Sequence, residues 1–185
     1  MTDRPLTDFE HVLLGLLVDE PRSAYDLKKL FTNSPAAVYQ PSAGALVPAL
    51  RRLERRGLLC VEVTVSAGRR SRRVLHPTPA GRAMHLEWVR QPVKPERVGT
   101  DLGLHLMRFV MMEHLVPAEE IRAFLLSLAS ALEAFVRGME GYVATSAADL
   151  NGRHPLLALR HGIEVHRASL DWARSALADL TAPDA

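Results

Sequence analysis

The chain of 185 residues is 48% apolar and 24% charged, which excludes a wholly disordered protein and is ordinary for a globular one. A lone cysteine, Cys60, excludes an intrachain disulfide framework and favours a reducing compartment. No apolar run is long enough to cross a membrane, and the polar N-terminal segment lacks the apolar stretch of a signal peptide. We therefore expect a cytoplasmic protein without a membrane partner.

Charge is divided unevenly along the chain. Residues 1–90 carry 14 Lys and Arg against 9 Asp and Glu, a net +5, whereas residues 91–185 carry 9 against 12, a net −3. A basic first half joined to an acidic second half indicates that only the first half meets a polyanion. Random scatter of surface charge is the alternative explanation, and the positions of the arginines argue against it.

The first two predicted helices are marked by their N-terminal residues. Thr7 caps the first helix, whose apolar residues then recur at helical spacing. Ser23 and Asp26 form a capping-box pattern that opens the second helix. A loop rich in turn-forming residues follows it and separates it from the next helix.

The third predicted helix begins near Ser42 and ends at Gly57, a residue suited to a helix C-terminus. Pro48 either kinks this helix or moves its start closer to Gly44. After Gly57 the apolar period changes from 3.6 to 2, which predicts a β-hairpin. Its strands are LLCVEVTV and RRVLHP, and AGRRS forms the turn.

A fourth helix is predicted to start at Thr78-Pro79 and to run toward Gln91. Two helices, a turn, a third helix and a hairpin are the order of a winged helix-turn-helix. In that fold the third helix and the hairpin should be the basic elements. Residues 51–73 do hold eight arginines against Glu54 and Glu62.

The arginines of the third helix lie on one side of it. With Leu46 pointing into the core, Arg51 and Arg55 fall on the opposite face, and Arg52 flanks them. A solvated amphipathic helix and a solubilising loop are the alternatives to a DNA-binding surface, but four arginines at a hairpin tip without acidic neighbours favour contact with phosphate. The residues predicted to contact DNA are Ser42, Ala45, Arg51, Arg52, Arg55, Arg69, Arg70, Arg72 and Arg73.

The second half is predicted to be wholly helical. Residues 91–100 form a connector, and helices are expected at 102–115, from Pro117 to about Val143, and from Pro155 to about Leu180. The last two are long enough to wrap around a second subunit. An intrachain three-helix bundle is the alternative.

Four segments resemble the PadR family of transcription factors, in its longer subgroup with a multi-helix C-terminal domain. They are SAYDLKKLF, SAGALVPALRRLERRGLL, GRRSRRVLHPTPAGR and HPLLALRHGIEVHRASLDWAR. The resemblance implies a mostly α fold with a small β-hairpin: a winged helix-turn-helix at 5–90 and an all-helical dimerisation domain at 100–181. Two positions depart from the family pattern, because Val47 and Leu75 stand where the family usually has aromatic residues. A tyrosine in place of Val47 would be a DNA contact in relatives.

The resemblance also implies a flat organic ligand bound where the subunits meet. Trp88, Met107, Met111 and Met112 are the candidate lining residues, and ordinary core packing is the alternative role for them.

Motifs of catalysis and metal binding are not found in the sequence. Cys60 lies in a strand that we expect to be half buried, which favours a small apolar role over nucleophilic catalysis. On one helix His161 and Glu164 share a face, but His166 lies about 140° away from His161, so these three cannot hold one ion. We expect no enzyme activity, no metal and no cofactor.

Together these features predict a dimeric repressor that binds a palindromic operator in double-stranded DNA and is released by a small organic inducer. One alternative is a winged-helix interaction adaptor that lacks DNA binding, which Val47 and Leu75 leave open. A small helical enzyme is the second alternative.

Overall fold

The computed structural model describes residues 4–33, 44–64, 72–146 and 152–180. Seven α-helices, one 3₁₀ turn and two strands are defined in these ranges. They are α1 (Asp8–Asp19), α2 (Ala24–Asn33), α3 (Leu46–Arg55), β1 (Leu59–Thr64), β2 (Arg72–Pro77), α4 (Pro79–Val89), the 3₁₀ turn (Pro95–Arg97), α5 (Leu102–Met112), α6 (Ala118–Ser146) and α7 (Arg153–Asp179).

The predicted helix caps are confirmed. The Thr7 hydroxyl accepts a hydrogen bond from the Glu10 amide, and the Glu10 carboxylate accepts one from the Thr7 amide, which closes a capping box on α1. Ser23 and Asp26 make the same reciprocal pair before α2, at 3.1 and 3.2 Å. Thr78 caps α4, with Pro79 as its first residue. Each cap satisfies backbone N–H groups that the first helical turn leaves without partners.

The third helix begins later than its earliest predicted start. It starts at Leu46, which places Pro48 in the first turn, where a missing N–H disrupts no helical hydrogen bond. Gly44 precedes the helix and has a positive φ of 85°, and Gly57 ends it with a φ of 67°. Gly57 was therefore predicted correctly as the residue that terminates the helix. Of the two predicted effects of Pro48, the later start of the helix is the one observed.

The hairpin is antiparallel, with Leu59 opposite Pro77 and Thr64 opposite Arg72. A further backbone bond joins it to the helices, because the Leu75 amide donates to the Arg22 carbonyl at 2.9 Å. Strand β1 is buried at Leu59 and exposed at Cys60, so Cys60 lies on the open side of the strand. Its side chain is exposed because Leu59, the preceding residue, faces the core and side chains alternate along a strand.

The core of the N-terminal region is formed by apolar residues of α1, α2, α3 and the hairpin. They are Phe9, Leu13, Leu14, Leu17, Leu27, Ala49, Leu50, Leu53, Leu58, Leu59 and Leu75. Helix α4 packs closely on this core at Gly81, where an added Cβ would lie 2.2 Å from the Leu58 carbonyl oxygen. The fold class predicted from the sequence, a mostly helical chain with a winged helix-turn-helix, is confirmed.

The chain divides into two compact units. The first comprises Met1–Gln91 and Leu106–Leu115, and the second comprises Pro92–His105 and Val116–Ala185. In the second unit α6 and α7 pack together and bury Leu128, Leu132, Ile163 and Leu170. Helix α6 begins at Ala118, one residue after the predicted start at Pro117. Helix α7 begins at Arg153, two residues before the predicted start, so Pro155 lies in its first turn. Within the described ranges, no helix combines the length and the apolar character needed to cross a membrane.

Candidate nucleic-acid interface

Helix α3 has one buried and one exposed face. Ala49, Leu50 and Leu53 are buried in the core of the first unit, and Arg51 and Arg55 lie exposed on the other side. The Arg55 Nε donates to the Arg51 backbone carbonyl at 3.4 Å, so this guanidinium contacts its own helix. Within the described part of the chain, neither arginine forms an ion pair with an acidic residue. Their positive charge is therefore directed to solvent.

Arg52 has a different environment from its two neighbours. Its Nε donates to the Oε1 of Glu10 on α1 at 2.6 Å, and the Glu10 side chain is 4% exposed. Arg52 itself is 43% exposed, so the guanidinium lies at the junction between α1 and α3. The sequence pattern groups Arg52 with Arg51 and Arg55, and it marks Glu10 only as an acid at a helix start.

The described arginines of the hairpin lie close to acidic residues of neighbouring helices. Arg72 forms an ion pair with Asp26, and the Arg73 Nη2 lies 3.9 Å from the Glu54 Oε2. The Ser23 hydroxyl, followed by the Arg72 guanidinium, lowers the pKa of Asp26 to about 2, so this carboxylate is ionised at neutral pH. The root of the hairpin is thus connected electrostatically to α2 and α3.

Other predicted contact residues have varied surroundings. Ala45 occupies the N-cap position of α3, where it is half buried and makes no side-chain cap. Val47 is 49% exposed on the first turn of α3, whereas Leu75 is 4% exposed in the core. Ser42, Arg69 and Arg70 lie outside the described residues.

Two of the four candidate ligand-lining residues line a common cavity. The cavity of about 380 Å³ lies in the first unit between α1, α4 and α5. Met107 and Met111 line it, whereas Trp88 and Met112 are not part of its wall and are buried elsewhere. The complete lining is Gly15, Leu16, Val18, Asp19, His85, Met107, Val110, Met111, Glu113, His114 and Leu115.

Trp88 belongs to a buried polar cluster that the sequence did not reveal. The ring of His11 stacks on it with centroids 5.1 Å apart, and the Arg108 Cζ lies 5.6 Å from the Trp88 ring centre. The His85 Nδ1 donates to the His11 carbonyl at 3.1 Å. Burial lowers the pKa of both histidines to about 4, so both are neutral at physiological pH.

Arg108 joins this cluster from α5. Its Nη2 donates to the Val89 carbonyl at 3.0 Å and also to the Gln91 carbonyl, which satisfies carbonyl groups at the C-terminal end of α4. Burial lowers the pKa of Arg108 to about 10, and the residue keeps its charge at neutral pH. Its hydrogen bonds span 19 and 17 residues, and no local motif signals them.

The histidines of α7 do not gather around a shared point. His166 is buried beside Phe135, at 4.6 Å between ring centroids, and its Nδ1 lies 2.7 Å from the Gly162 carbonyl. His161 is exposed. In the described ranges, no group of three His, Cys, Asp or Glu side chains is arranged to hold a metal ion.

Comparison with known proteins gives matches to transcriptional regulators. Over 174 residues the chain is 23% identical to the probable transcriptional regulator Rv1176c of Mycobacterium tuberculosis, in a match that covers 88% of this chain and 92% of that protein. The crystal structure of Bacillus subtilis PadR with operator DNA matches 96% of this chain and 99% of that chain, with 18% identity and a TM-score of 0.46. PadR from the same organism in complex with p-coumaric acid matches 95% of this chain and 100% of that chain, with 16% identity and a TM-score of 0.42.

The family resemblance rests mainly on the recognition-helix block and the hairpin, and both lie within the part of the chain that a family model matches. That model is the transcriptional regulator PadR-like family, and it matches residues 13–86. The matched range extends from α1 to α4 and so includes α2, α3 and the described strands of the hairpin. The chain therefore carries a PadR-like domain at residues 13–86.

Proposed function

We propose that this protein is a cytoplasmic, homodimeric repressor that binds a palindromic operator through α3 and the hairpin. The observation that carries the proposal is the exposed face of α3, where Arg51 and Arg55 lie without an acidic partner among the described residues. Unpaired cations on one face repel each other and favour a polyanionic partner. The domain at 5–90 would supply this face.

The shape of α3 suits the major groove of DNA. Its N-terminal end carries Gly44 and Ala45, whose small side chains allow the backbone to approach base edges. Arg51 and Arg55 lie about two and three turns further on, where they reach phosphates or guanines. Arg69, Arg70 and Arg73 of the hairpin would contact the flanking minor groove or its phosphates, and Arg72 would do so only by leaving its ion pair with Asp26.

Dimerisation is proposed for the helical region at 100–181. Several large apolar side chains are exposed on α6 and α7 of the second unit, at positions where a second subunit would remove them from water. These residues are Leu126, Tyr142, Leu157 and Val165.

Operator spacing tests the dimeric-repressor proposal directly. Two identical recognition helices that enter the major groove on one face of DNA require half-sites centred about one helical turn, or about 34 Å, apart. Inserting five base pairs at the operator centre should therefore reduce binding to the non-specific level, and ten should restore part of it. The measurement is footprinting with DNA from upstream of the gene. If the five-pair insertion binds as tightly as the parent site, the protein does not read DNA as a symmetric dimer.

A mobility-shift experiment separates this function from its alternative. Val47 places an exposed apolar side chain where the resemblance would place a DNA-contacting tyrosine, and this favours an interaction adaptor as the second candidate. An adaptor would show no retention of any upstream DNA at low salt. A repressor would retain its operator and release it as salt rises.

We also propose that a small organic ligand releases the repressor by binding in the cavity lined by Met107 and Met111. The cavity volume of about 380 Å³ fits a small aromatic molecule, and methionine side chains adapt to varied shapes. Replacing Met111 with Trp should fill the cavity and abolish the response to ligand while operator binding persists. Titration of the operator complex with a panel of aromatic compounds measures this. An unchanged response in Met111→Trp would place the ligand elsewhere.

A further inference from the structure

Glu10 connects two helices through its two carboxylate oxygens. One oxygen, Oε2, accepts hydrogen bonds from the Thr7 amide at 2.8 Å and the Thr7 hydroxyl at 3.0 Å. The other, Oε1, accepts from the Arg52 Nε at 2.6 Å. A side chain that closes the N-terminus of α1 therefore also holds α3, at a separation of 42 residues in the sequence.

Glu10 is charged although the residue is only 3% exposed. Burial by itself raises its pKa, but hydrogen bonds from Thr7 and Arg52, together with the charge of Arg52, outweigh burial and lower the pKa below its ordinary value. The contact to Arg52 is thus a charge-assisted hydrogen bond at neutral pH, which is both stronger and more directional than a neutral one.

Few of the other described contacts of α3 are directional, and its other ion pair, Glu54 with Arg73, is long at 3.9 Å. Its buried face consists of Ala49, Leu50 and Leu53, and apolar contacts have little directional preference. The N-cap residue Ala45 makes no side-chain hydrogen bond. A small rotation of α3 about its axis would redirect its exposed arginines relative to DNA, so the directional bond from Arg52 to α1 has a large effect on how they are presented.

We infer that Glu10 and Arg52 form a positioning pair that fixes the rotation of the recognition helix, and that Arg52 is not one of the phosphate contacts. The inference rests on the proposed function, because it assumes that α3 binds DNA. It assigns different roles to three arginines within five positions of one helix. Arg51 and Arg55 contact DNA, and Arg52 acts through their orientation.

The variant Glu10→Gln tests the inference through the sign of its effect. Glutamine keeps the length of the side chain and can still close the capping box with Thr7, so the main change is the removal of the charge that faces Arg52. Removing a negative charge from a DNA-binding domain should by itself strengthen binding to DNA. The positioning role predicts the opposite for the operator, a loss of affinity of about tenfold, with non-specific DNA affinity unchanged or higher. The control is Glu87→Gln, at an exposed site on α4, because it changes the net charge by the same amount as Glu10→Gln.

A double-mutant cycle with Arg52→Met adds a second readout. If the two residues act as a pair, Glu10→Gln, Arg52→Met and the double variant should lose operator affinity to within about twofold of one another. The dependence of log affinity on log salt should keep its slope in all three, whereas Arg51→Ala should reduce the slope by about 0.9, as expected when one phosphate is no longer neutralised. Each single variant leaves one charged or polar partner without its counterpart and could fold poorly for that reason. The double variant removes both partners, so its operator affinity can still be measured in that case.

The outcomes separate this inference from the proposed function. Operator binding by Glu10→Gln that equals or exceeds that of Glu87→Gln would overturn the positioning role. So would a slope in Arg52→Met that falls as much as in Arg51→Ala. Failure of the wild-type chain to bind any DNA specifically would instead defeat the proposed function, and circular dichroism with thermal unfolding shows that each variant compared is folded.

Discussion

Helices α3 and α7 both carry arginines on an exposed face, but the surroundings of these charges differ. On α7, Arg167 pairs with Glu140 and with Glu164, the latter at 2.6 Å, and Arg174 lies 3.3 Å from Glu133. On α3, no such acidic partner lies beside the two outer arginines within the described ranges. The positive charge of these α7 residues is neutralised inside the second unit, whereas that of Arg51 and Arg55 on α3 remains available to a partner.

This difference shows that the number of arginines on a helix is a weak guide to its function. Both helices are amphipathic, and both would be described from sequence as basic on one side. What distinguishes them is the placement of acidic residues on neighbouring helices, which only the fold reveals. An exposed ion pair contributes little to stability, but it does remove a charge from the field that attracts DNA.

The largest expected effect comes from removing α7, the helix that carries the paired Arg167 and Arg174. A chain that ends at Asp149 exposes the face of α6 that packs on Ile163, Leu170 and Ala173. We expect loss of the dimer or aggregation, because a long apolar seam is left in water. Size-exclusion chromatography with light scattering measures it. A well-behaved dimer of the shortened chain would show that dimerisation resides elsewhere.

The next effect compares the two sets of arginines directly. Changing both Arg51 and Arg55 to Ala should weaken operator binding by about tenfold for each residue and reduce the salt slope by about 0.9 for each phosphate that is no longer neutralised. Changing Arg167 and Arg174 to Ala removes the same charge and should alter affinity by less than about twofold at roughly 0.15 M salt, because these side chains are solvent-exposed, belong to ion pairs outside the proposed interface and are screened by salt. Fluorescence anisotropy across a salt series reports both quantities. Equal effects in the two double variants would remove the distinction between the helices.

The smallest effect concerns the buried histidines of the first unit. His11 and His85 have pKa values of about 4 in the folded protein, below the ordinary value of 6.5, so the unfolded chain binds more protons between these values. Stability is therefore retained above pH 6.5 and falls as pH drops toward 4, by about 2 kcal/mol per histidine between roughly pH 7.5 and pH 5. Urea unfolding at the two pH values measures this. His85→Leu should reduce the pH dependence, and an unchanged dependence would mean that other groups cause it.

Local patterns predicted most of the secondary structure, because their physical causes are local. Thr7, Ser23 and Thr78 each satisfy amides within three residues, and the change from helical to alternating periodicity located the hairpin. Neither depends on where the rest of the chain lies. Which face of β1 would be buried was not predicted, because the burial of a strand face depends on what packs against it, and Cys60 lies on the exposed face.

The environment of the candidate site was less predictable, because it is created by distant residues. Arg52 and Glu10 are 42 positions apart, and Arg72 and Asp26 are 46 apart. In the sequence all these arginines look equivalent. Arg108 lies in an apolar helix and gave no sign that it would bond to the end of α4. The family resemblance supplied the fold around these residues, but individual ion pairs depend on side chains that vary within a fold.

The hydrogen bond from the Leu75 amide to the Arg22 carbonyl has a consequence for the kinetics of DNA recognition. This isolated bridge attaches the segment between α1 and α2 to β2, so β2 is bonded on both sides at Leu75. A two-stranded hairpin on its own is only marginally stable in water. Here its base is formed before DNA arrives, which lowers the entropy lost on association. Association with DNA then does not require the described strands of the hairpin to fold.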